Sequence, residues 1–115
     1  MAALQQLDLT LINGYLEVLD MDVIQQMLDL YIQQSTLYLA TIECAVVAEN
    51  QKEWQEHCHK MKGAAASAGL SQVHQQLIAI EKSTEDWQTK ANYLQSLVTL
   101  NQEAIAVFQQ WLDEQ

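Results

Sequence analysis

The sequence predicts an all-α protein, an up-and-down antiparallel four-helix bundle with a short extra N-terminal helix. Its 115 residues include no proline and only three glycines, so few positions oppose helix formation. Apolar residues recur at steps of three, four and seven, as on the buried face of a helix. The segments between these patterns are short, and short connections force neighbouring helices to run antiparallel. Half of the residues are apolar, so we expect residues 1–115 to form a single domain with one core.

Aspartates mark the starts of the first two predicted helices. Asp8 can cap a first helix that runs to about Leu19, although Gly14 in its interior weakens that helix. Either Asp20 or Asp22 can cap the second helix, because a carboxylate satisfies the free N–H groups of a first turn.

The second helix is predicted to be long, with an end near Glu49. A polar break near Gln34 and Ser35 interrupts its apolar pattern. The positions that follow helical spacing are Ile24, Met27, Tyr31, Tyr38, Ile42 and Ala45. We therefore expect these side chains to face the core.

Capping and stop residues delimit three further helices. Asn50 can cap a third helix over residues 51–68, and Gly69 can end it. A fourth helix begins at Leu70, and its buried positions are Val73, Leu77 and Ile80. Residues 83–86 break the pattern and offer capping side chains to a fifth helix. The apolar stripe of that helix comprises Trp87, Tyr93 or Leu94, Leu97, Leu100 or Asn101, Ala104, Val107, Phe108 and Trp111.

The third helix has two clearly different faces, since each residue turns the helix by about 100°. The core stripe comprises Trp54, Cys58, Met61, Ala65 and Ala68. Roughly 130° away lies a face that comprises Lys52, Gln55, Glu56, His59, Lys62, Gly63 and Ala66. His59 is therefore expected in the middle of the helix and on its solvent side, where an imidazole has no packing role.

Three residue types on this exposed face suit reversible phosphoryl transfer. His59 offers a nucleophilic imidazole, and Lys62, three residues on, can pair with phosphoryl oxygens. Gly63 costs the helix about 1 kcal/mol relative to alanine, but it lets a partner approach the imidazole closely. Lys60 and Lys52 add positive charge to this part of an otherwise acidic protein.

The composition excludes several classes of partner. A formal net charge of −10, with no arginine, repels phosphate backbones and anionic lipids, so we expect neither nucleic acid nor membrane as partner. No apolar run approaches the roughly 20 residues of a membrane span, and the N-terminus does not resemble a signal peptide. Cys44 and Cys58 form no disulfide framework and are interpreted as reduced thiols. A cytoplasmic protein is therefore expected.

The segment His59-x-x-Lys62-Gly63, followed by Gly69, resembles the signature of histidine phosphotransfer (Hpt) domains. The similarity is strongest over residues 54–70. It implies a four-helix bundle whose phosphorylated histidine is exposed in the middle of a helix. By this resemblance His59 is the phosphoacceptor, Lys62 the cation beside the phosphoryl group, and Gly63 the residue that leaves room for a partner.

Two other positions bear on the resemblance. Ser67 lies where many members of the family also have a small residue. Many Hpt domains have a serine just after the motif glycine, whereas Ala64 and Ala65 follow Gly63 here. A polar contact made by a serine side chain just after the motif glycine is therefore absent from this chain.

The expected function is that of a phosphocarrier in a two-component phosphorelay. His59 would shuttle a phosphoryl group between the receiver-domain aspartates of a hybrid sensor kinase and a response regulator. No ATP site is recognisable, so we expect no autokinase activity. We expect no cofactor, since the receiver partner would supply Mg²⁺, and we expect a monomer. Residues of the first two helices beside His59 are expected to form an apolar docking rim.

The sequence also offers two alternative functions. A metal site on His57, Cys58 and His59 is disfavoured, because side chains two residues apart on a helix point about 200° from each other. Only Glu56 accompanies His59 on its face, which is too few ligands for structural zinc. The remaining alternative is a non-catalytic helical adaptor that binds a partner protein, and such an adaptor would not require Lys62 and Gly63.

Overall fold

The computed structural model describes residues 6–115, and that part of the chain forms five helices and no strand. They are α1 (Leu9–Val18), α2 (Met21–Val47), α3 (Gln51–Ala68), α4 (Ser71–Ile80) and α5 (Trp87–Asp113). Helix α2 packs against α3 and α5, and α4 packs against both α3 and α5, which closes a four-helix bundle. Helix α1 lies at one end of it. The predicted fold class is confirmed.

Most of the helix starts follow the capping prediction. Asp8, Asn50 and Asp86 each accept a hydrogen bond from the backbone N–H three residues on, at 3.1, 3.0 and 2.8 Å. Asp20 rather than Asp22 is the N-cap of α2, although its side chain makes no capping bond. Each side-chain cap satisfies an N–H group that the helix itself cannot bond.

Gly69 both ends α3 and holds α1 against the bundle. Its φ of 79° is in the left-handed region, where glycine has no steric penalty. The carbonyl of Gly69 accepts the N–H of Asp8 at 2.8 Å. A Cβ at Gly69 would lie 2.9 Å from Cγ1 of the buried Ile12, so only glycine allows this close approach.

The core face of α3 is as predicted: Trp54, Cys58, Met61, Ala65 and Ala68 are all buried. The core face of α2 differs from the prediction. Leu28 is buried, whereas Met27 and Tyr38 are only half-buried. Successive helical turns do not return to the same angle, and these two side chains therefore lie at the border of the core rather than within it.

The expected polar break in α2 is wrong, because Ser35 is buried within a polar network. Tyr31 Oη donates to Asn101 Oδ1 at 2.6 Å, and Asn101 Nδ2 donates to Ser35 Oγ at 3.1 Å. Ser35 Oγ donates in turn to the Ile32 carbonyl at 3.2 Å. The partners come from α2 and α5, so the polar groups are satisfied only when the two helices are correctly aligned.

A buried lysine was not foreseen in α5. Lys90 Nζ donates to Gln51 Oε1 at 2.6 Å and to the Glu85 carbonyl at 2.9 Å. It also lies 4.1 Å from the ring centroid of Trp87, within cation–π range. Trp87 and Trp111 are themselves half-buried beside the core. Lys90 therefore ties the start of α3 to the turn that precedes α5.

None of the helices in residues 6–115 combines the length and apolar character that crossing a membrane would require.

Candidate functional site

His59 lies in the middle of α3 with 70% of its side chain exposed. The helix is held in register by Asn50 at its start, by Gly69 at its end and by the fully buried neighbours Cys58 and Met61. Because adjacent residues of a helix point about 100° apart, burying Cys58 turns His59 outward. The predicted position of this histidine is therefore confirmed.

Glu81 is a component of the site that the sequence analysis missed. It follows the last residue of α4, and only 9% of its side chain is exposed. Its Oε1 accepts a hydrogen bond from Lys62 Nζ at 2.9 Å and lies 3.2 Å from His59 Nδ1. One carboxylate oxygen therefore contacts two side chains of the exposed face of α3, those of His59 and Lys62.

A sequence signal for Glu81 did exist. It lies four residues after Leu77 and directly after Ile80, so it continues the apolar stripe of α4. A carboxylate at such a position must find a partner, because burying an unpaired charge is costly. Its partners, however, lie 19 and 22 residues earlier in the sequence (81 − 62 and 81 − 59), on another helix.

Glu81 is ionised at neutral pH. Burial opposes its ionisation, but hydrogen bonds and charges from Lys62, and then from His59, outweigh burial and hold the pKa of Glu81 below its ordinary value. An ionised carboxylate can only accept hydrogen bonds. In a neutral His59 the proton must therefore reside on Nδ1, which leaves the Nε2 lone pair free and directed to solvent.

Lys62, which the sequence analysis expected beside the phosphoryl group, is paired with a carboxylate in this structure. About three quarters of its side chain is covered, since 25% is exposed, and its ammonium group is paired with Glu81. Lys60 lies 3.5 Å from Glu56, and both side chains are about half exposed. Solvent screens an exposed ion pair of this kind, so it contributes little to stability. Of the lysines near His59, Lys62 and Lys60 are thus each paired with a glutamate.

Gly63 borders an open groove of about 370 Å³ between α2 and α3. A Cβ placed on Gly63 would meet nothing within 4 Å. The groove is lined from α3 by Lys60, Gly63, Ala64, Ser67 and Ala68, and from α2 by Met27, Leu30, Tyr31, Gln34 and Tyr38. Leu30 and Leu37 of α2 are 53% and 68% exposed. From the sequence, Met27, Tyr31 and Tyr38 were expected in the core, and no α2 residue was identified as part of such a groove.

The other two histidines do not join the site. His57 is half-buried and bonds Glu53 at 2.7 Å on its own helix. His74 borders a separate cavity with Ile78 on α4. Within residues 6–115, no three His, Cys, Asp or Glu side chains lie close enough to share a metal ion.

Cys58 next to His59 is not a second nucleophile. It is fully buried, and burial together with the charge of Glu81 raises the pKa of its thiol to about 12. At neutral pH it is therefore a protonated core residue.

The fold and this histidine-bearing helix are those of a phosphotransfer domain, and the comparisons with known proteins agree. The sequence matches the Hpt domain family over residues 26–114. That match covers more than half of the chain, so the chain belongs to the Hpt domain family. Hpt domains act in two-component phosphorelays together with receiver domains.

One solved structure is similar over nearly its whole length. It is the histidine-containing phosphotransfer domain of ArcB from Escherichia coli, with a TM-score of 0.87 and 22% sequence identity. The alignment covers 99% of this chain and 98% of that domain. The two chains share the fold. A search of curated proteins returned no significant match.

Proposed function

We propose that this protein carries a phosphoryl group on His59 Nε2 between the aspartates of two receiver domains, one in a hybrid sensor kinase and one in a response regulator. The observation that carries the proposal is the exposed imidazole whose Nδ1 is held by Glu81 at 3.2 Å. That contact leaves Nε2 as the nucleophile. Membership of the Hpt domain family supports this role.

The transfer step forms a bond between His59 Nε2 and phosphorus and breaks the bond between phosphorus and the aspartyl oxygen. The Nε2 lone pair attacks in line, and the aspartate leaves as a carboxylate with the bonding electrons. No base is needed on Nε2, because the proton of the neutral ring is on Nδ1. The ring becomes positive as the new bond forms, and the carboxylate of Glu81 stabilises that charge through Nδ1–H.

Lys62 is placed to respond to the new negative charge. Its ammonium group donates to Glu81 Oε1 at 2.9 Å, the same oxygen that contacts His59 Nδ1. A phosphoryl group on His59 would offer it further oxygen acceptors, and charge-assisted bonds to phosphoryl oxygens are strong. Lys62 then neutralises charge, and the Mg²⁺ needed for the step belongs to the receiver.

Gly63 and the groove beside it provide the docking surface for the receiver in this proposal. The receiver's aspartate must come within roughly 3–3.5 Å of the attacking atom, and Gly63 has no side chain to prevent it. Leu30 lines this groove and is 53% exposed, so it adds apolar surface there on an otherwise acidic protein.

The domain organisation, oligomeric state and location of the protein are also part of this proposal. Residues 1–115 would act as one carrier domain, monomeric and in the cytoplasm. The chain would not phosphorylate itself from ATP. A receiver would deliver the group, and the same surface would present it to the next receiver.

The decisive experiment is phosphoryl transfer from a receiver labelled with radioactive acetyl phosphate. The parental chain should take up label that is acid-labile and base-stable, as expected for phosphohistidine, and His59→Gln should take up none. His57→Gln and His74→Gln serve as matched controls and should accept label at the parental rate. Label retained by His59→Gln would overturn the proposal and would favour a non-catalytic adaptor or another acceptor.

A further inference from the structure

We infer that Glu81 keeps the ring of phosphorylated His59 protonated on Nδ1, so that the loaded carrier releases its phosphoryl group readily and stores it poorly. This inference rests on the proposed function and extends it to the loaded state. It starts from one contact, in which Glu81 Oε1 lies 3.2 Å from His59 Nδ1. An ionised carboxylate only accepts hydrogen bonds, so this contact requires a proton on Nδ1.

The proton on Nδ1 decides how easily a phosphorylated imidazole gives up its phosphoryl group. When the bond between phosphorus and Nε2 breaks, its electron pair stays on Nε2. A ring that carries a proton on Nδ1 then leaves as neutral imidazole. A ring without that proton must leave as an imidazolate anion, which is a much stronger base and a poorer leaving group. Protonation of the leaving ring is the reason that phosphohistidine is acid-labile and base-stable.

Donation to a receiver needs no proton transfer if Nδ1 stays protonated. The aspartyl oxygen of the receiver forms the new bond to phosphorus, the bond from phosphorus to Nε2 breaks, and the positive ring becomes neutral. The proton remains on Nδ1, bonded to Glu81, before and after the step. Donation reverses the loading step, so one proton in one position serves both directions.

Glu81 can hold this proton because its carboxylate is largely buried and ionised. Only 9% of its side chain is exposed, so water competes little for Oε1. Burial opposes ionisation of Glu81, but the hydrogen bond and charge of Lys62 outweigh it and hold the pKa of Glu81 below its ordinary value. A positive ring donates a charge-assisted hydrogen bond to this oxygen, which is stronger than the bond from a neutral ring.

The other titratable groups near the ring do not replace Glu81 in this role. They come from α2, from α3 and from the residue that follows Glu81, and they are Tyr31, Tyr38, Glu56, Lys60, Lys62 and Lys82. The tyrosines are phenols that line the groove, and the lysines oppose a positive ring. The carboxylate of Glu56 pairs with Lys60 at 3.5 Å. Within residues 6–115, the carboxylate that bonds His59 is that of Glu81.

Glu81→Gln tests this inference, because an amide of nearly the same size can donate to an unprotonated Nδ1 as well as accept from a protonated one. Each chain is loaded from the labelled receiver, separated from it and kept in buffers between about pH 6 and 9, a range that includes the ordinary titration of an imidazole. The rate at which label is lost to water is measured. Glu56→Gln removes one negative charge from the same face of α3 and is the matched control.

The parental chain and Glu56→Gln should lose label at a rate that changes little across this range, since the ring keeps its proton. The rate for Glu81→Gln should fall as the pH rises, and near pH 8.5 it should be at least about tenfold below the parental rate. In urea, which removes Glu81 from the ring by unfolding the chain, the parent and Glu81→Gln should lose label at the same rate.

Nitrogen NMR of the loaded parental chain gives a second reading that does not depend on any variant. At about pH 8.5, Nδ1 of phosphorylated His59 should be protonated in the folded chain and unprotonated in urea. An unprotonated Nδ1 in the folded chain would overturn the inference, and so would the same pH dependence in the parent and in Glu81→Gln. An equal loss of rate in Glu56→Gln would assign the effect to net charge and reject the contact.

The proposed function and this inference fail in different ways. If the parental chain takes up no label on His59, the proposed function is wrong, and the inference fails with it. If His59 is labelled but its ring loses the Nδ1 proton as an ordinary imidazole does, only the role of Glu81 in the loaded carrier is wrong.

Discussion

At the scale of single residues, the state of the candidate site depends on one oxygen atom. Glu81 Oε1 contacts Lys62 and His59 at 2.9 and 3.2 Å. It orients the imidazole, assigns its proton to Nδ1 and neutralises the nearest cation. A hydrogen-bonded carboxylate commonly has this effect on a histidine whose other nitrogen does the chemistry.

Glu81→Ala should change the tautomer of His59. Without an acceptor at Nδ1, the neutral ring is free to carry its proton on Nε2, and this removes the lone pair that is proposed to attack phosphorus. Nitrogen NMR shifts of His59 should then report a mixed or inverted tautomer, and the transfer rate should fall by at least about tenfold.

Glu81→Gln is the informative control for that substitution. A glutamine oxygen can still accept from Nδ1–H, so the tautomer should remain parental, while the ion pair with Lys62 is lost. If Glu81→Ala retained both the parental tautomer and the parental rate, the positioning role assigned to Glu81 would be wrong.

Substitutions at Gly63 should affect folding stability and phosphoryl transfer differently. Since its Cβ position is open, Gly63→Ala should stabilise the protein by up to about 1 kcal/mol, as a thermal melt would measure. Gly63→Gln should also fold normally. Transfer should nevertheless decline as the side chain grows, because it would occupy the space through which the receiver's aspartate is proposed to reach His59. Parental transfer by Gly63→Gln would show that this clearance is unnecessary.

At the scale of the element, α3 is defined by its two ends and its two faces. Its bounds, its N-cap Asn50 and its left-handed stop at Gly69 are as predicted from the sequence. Local signals sufficed here, because capping and helix termination depend on residues within a few positions of each other. The same burial pattern that fixes Met61 in the core presents His59 to solvent.

Met61→Asp tests the assignment of the faces. It would place an unpaired carboxylate at a position with no exposed surface, which should lower the free energy of unfolding by about 4 kcal/mol or more. Gln55→Asp adds the same group at a half-exposed position of the same helix and should stay within about 0.5 kcal/mol of the parent. Chemical denaturation measures both, and equal effects would show that the faces are assigned wrongly.

At the scale of the whole molecule, buried polar contacts align the helices with one another. The network of Tyr31, Asn101 and Ser35 joins α2 to α5. Lys90 joins α5 to the start of α3 and to the turn before α5. Apolar packing alone tolerates small shifts between helices, whereas these hydrogen bonds are satisfied in one alignment.

Tyr31→Phe should therefore cost about 1–2 kcal/mol of stability, since it leaves the Oδ1 of a buried Asn101 without its donor. Asn101→Ala removes the acceptor of Tyr31 and the donor to Ser35, and it should cost more. In a double-mutant cycle measured by urea denaturation, the two changes should couple by at least about 0.5 kcal/mol. Strictly additive costs would mean that the network contributes nothing as a unit.

The sequence by itself determined the helical class, the limits of α3 and the outward position of His59. Each of these follows from periodicity, capping or the absence of proline, and all are local properties of the chain. The apolar pattern of α2 was less informative, because Ser35 looks like a break until its partner on α5 is known. Lys90 was likewise indistinguishable from a surface lysine.

Only the tertiary structure decided which groups meet. Glu81 reaches His59 and Lys62 because α4 returns antiparallel to α3, which places residues about 20 positions apart side by side. The groove beside Gly63 exists because α2 packs against the same helix, and α1 is joined to α3 by the hydrogen bond from Tyr15 to Ser67. Contacts between helices depend on packing angles and alignment, which a one-dimensional pattern of residues does not contain.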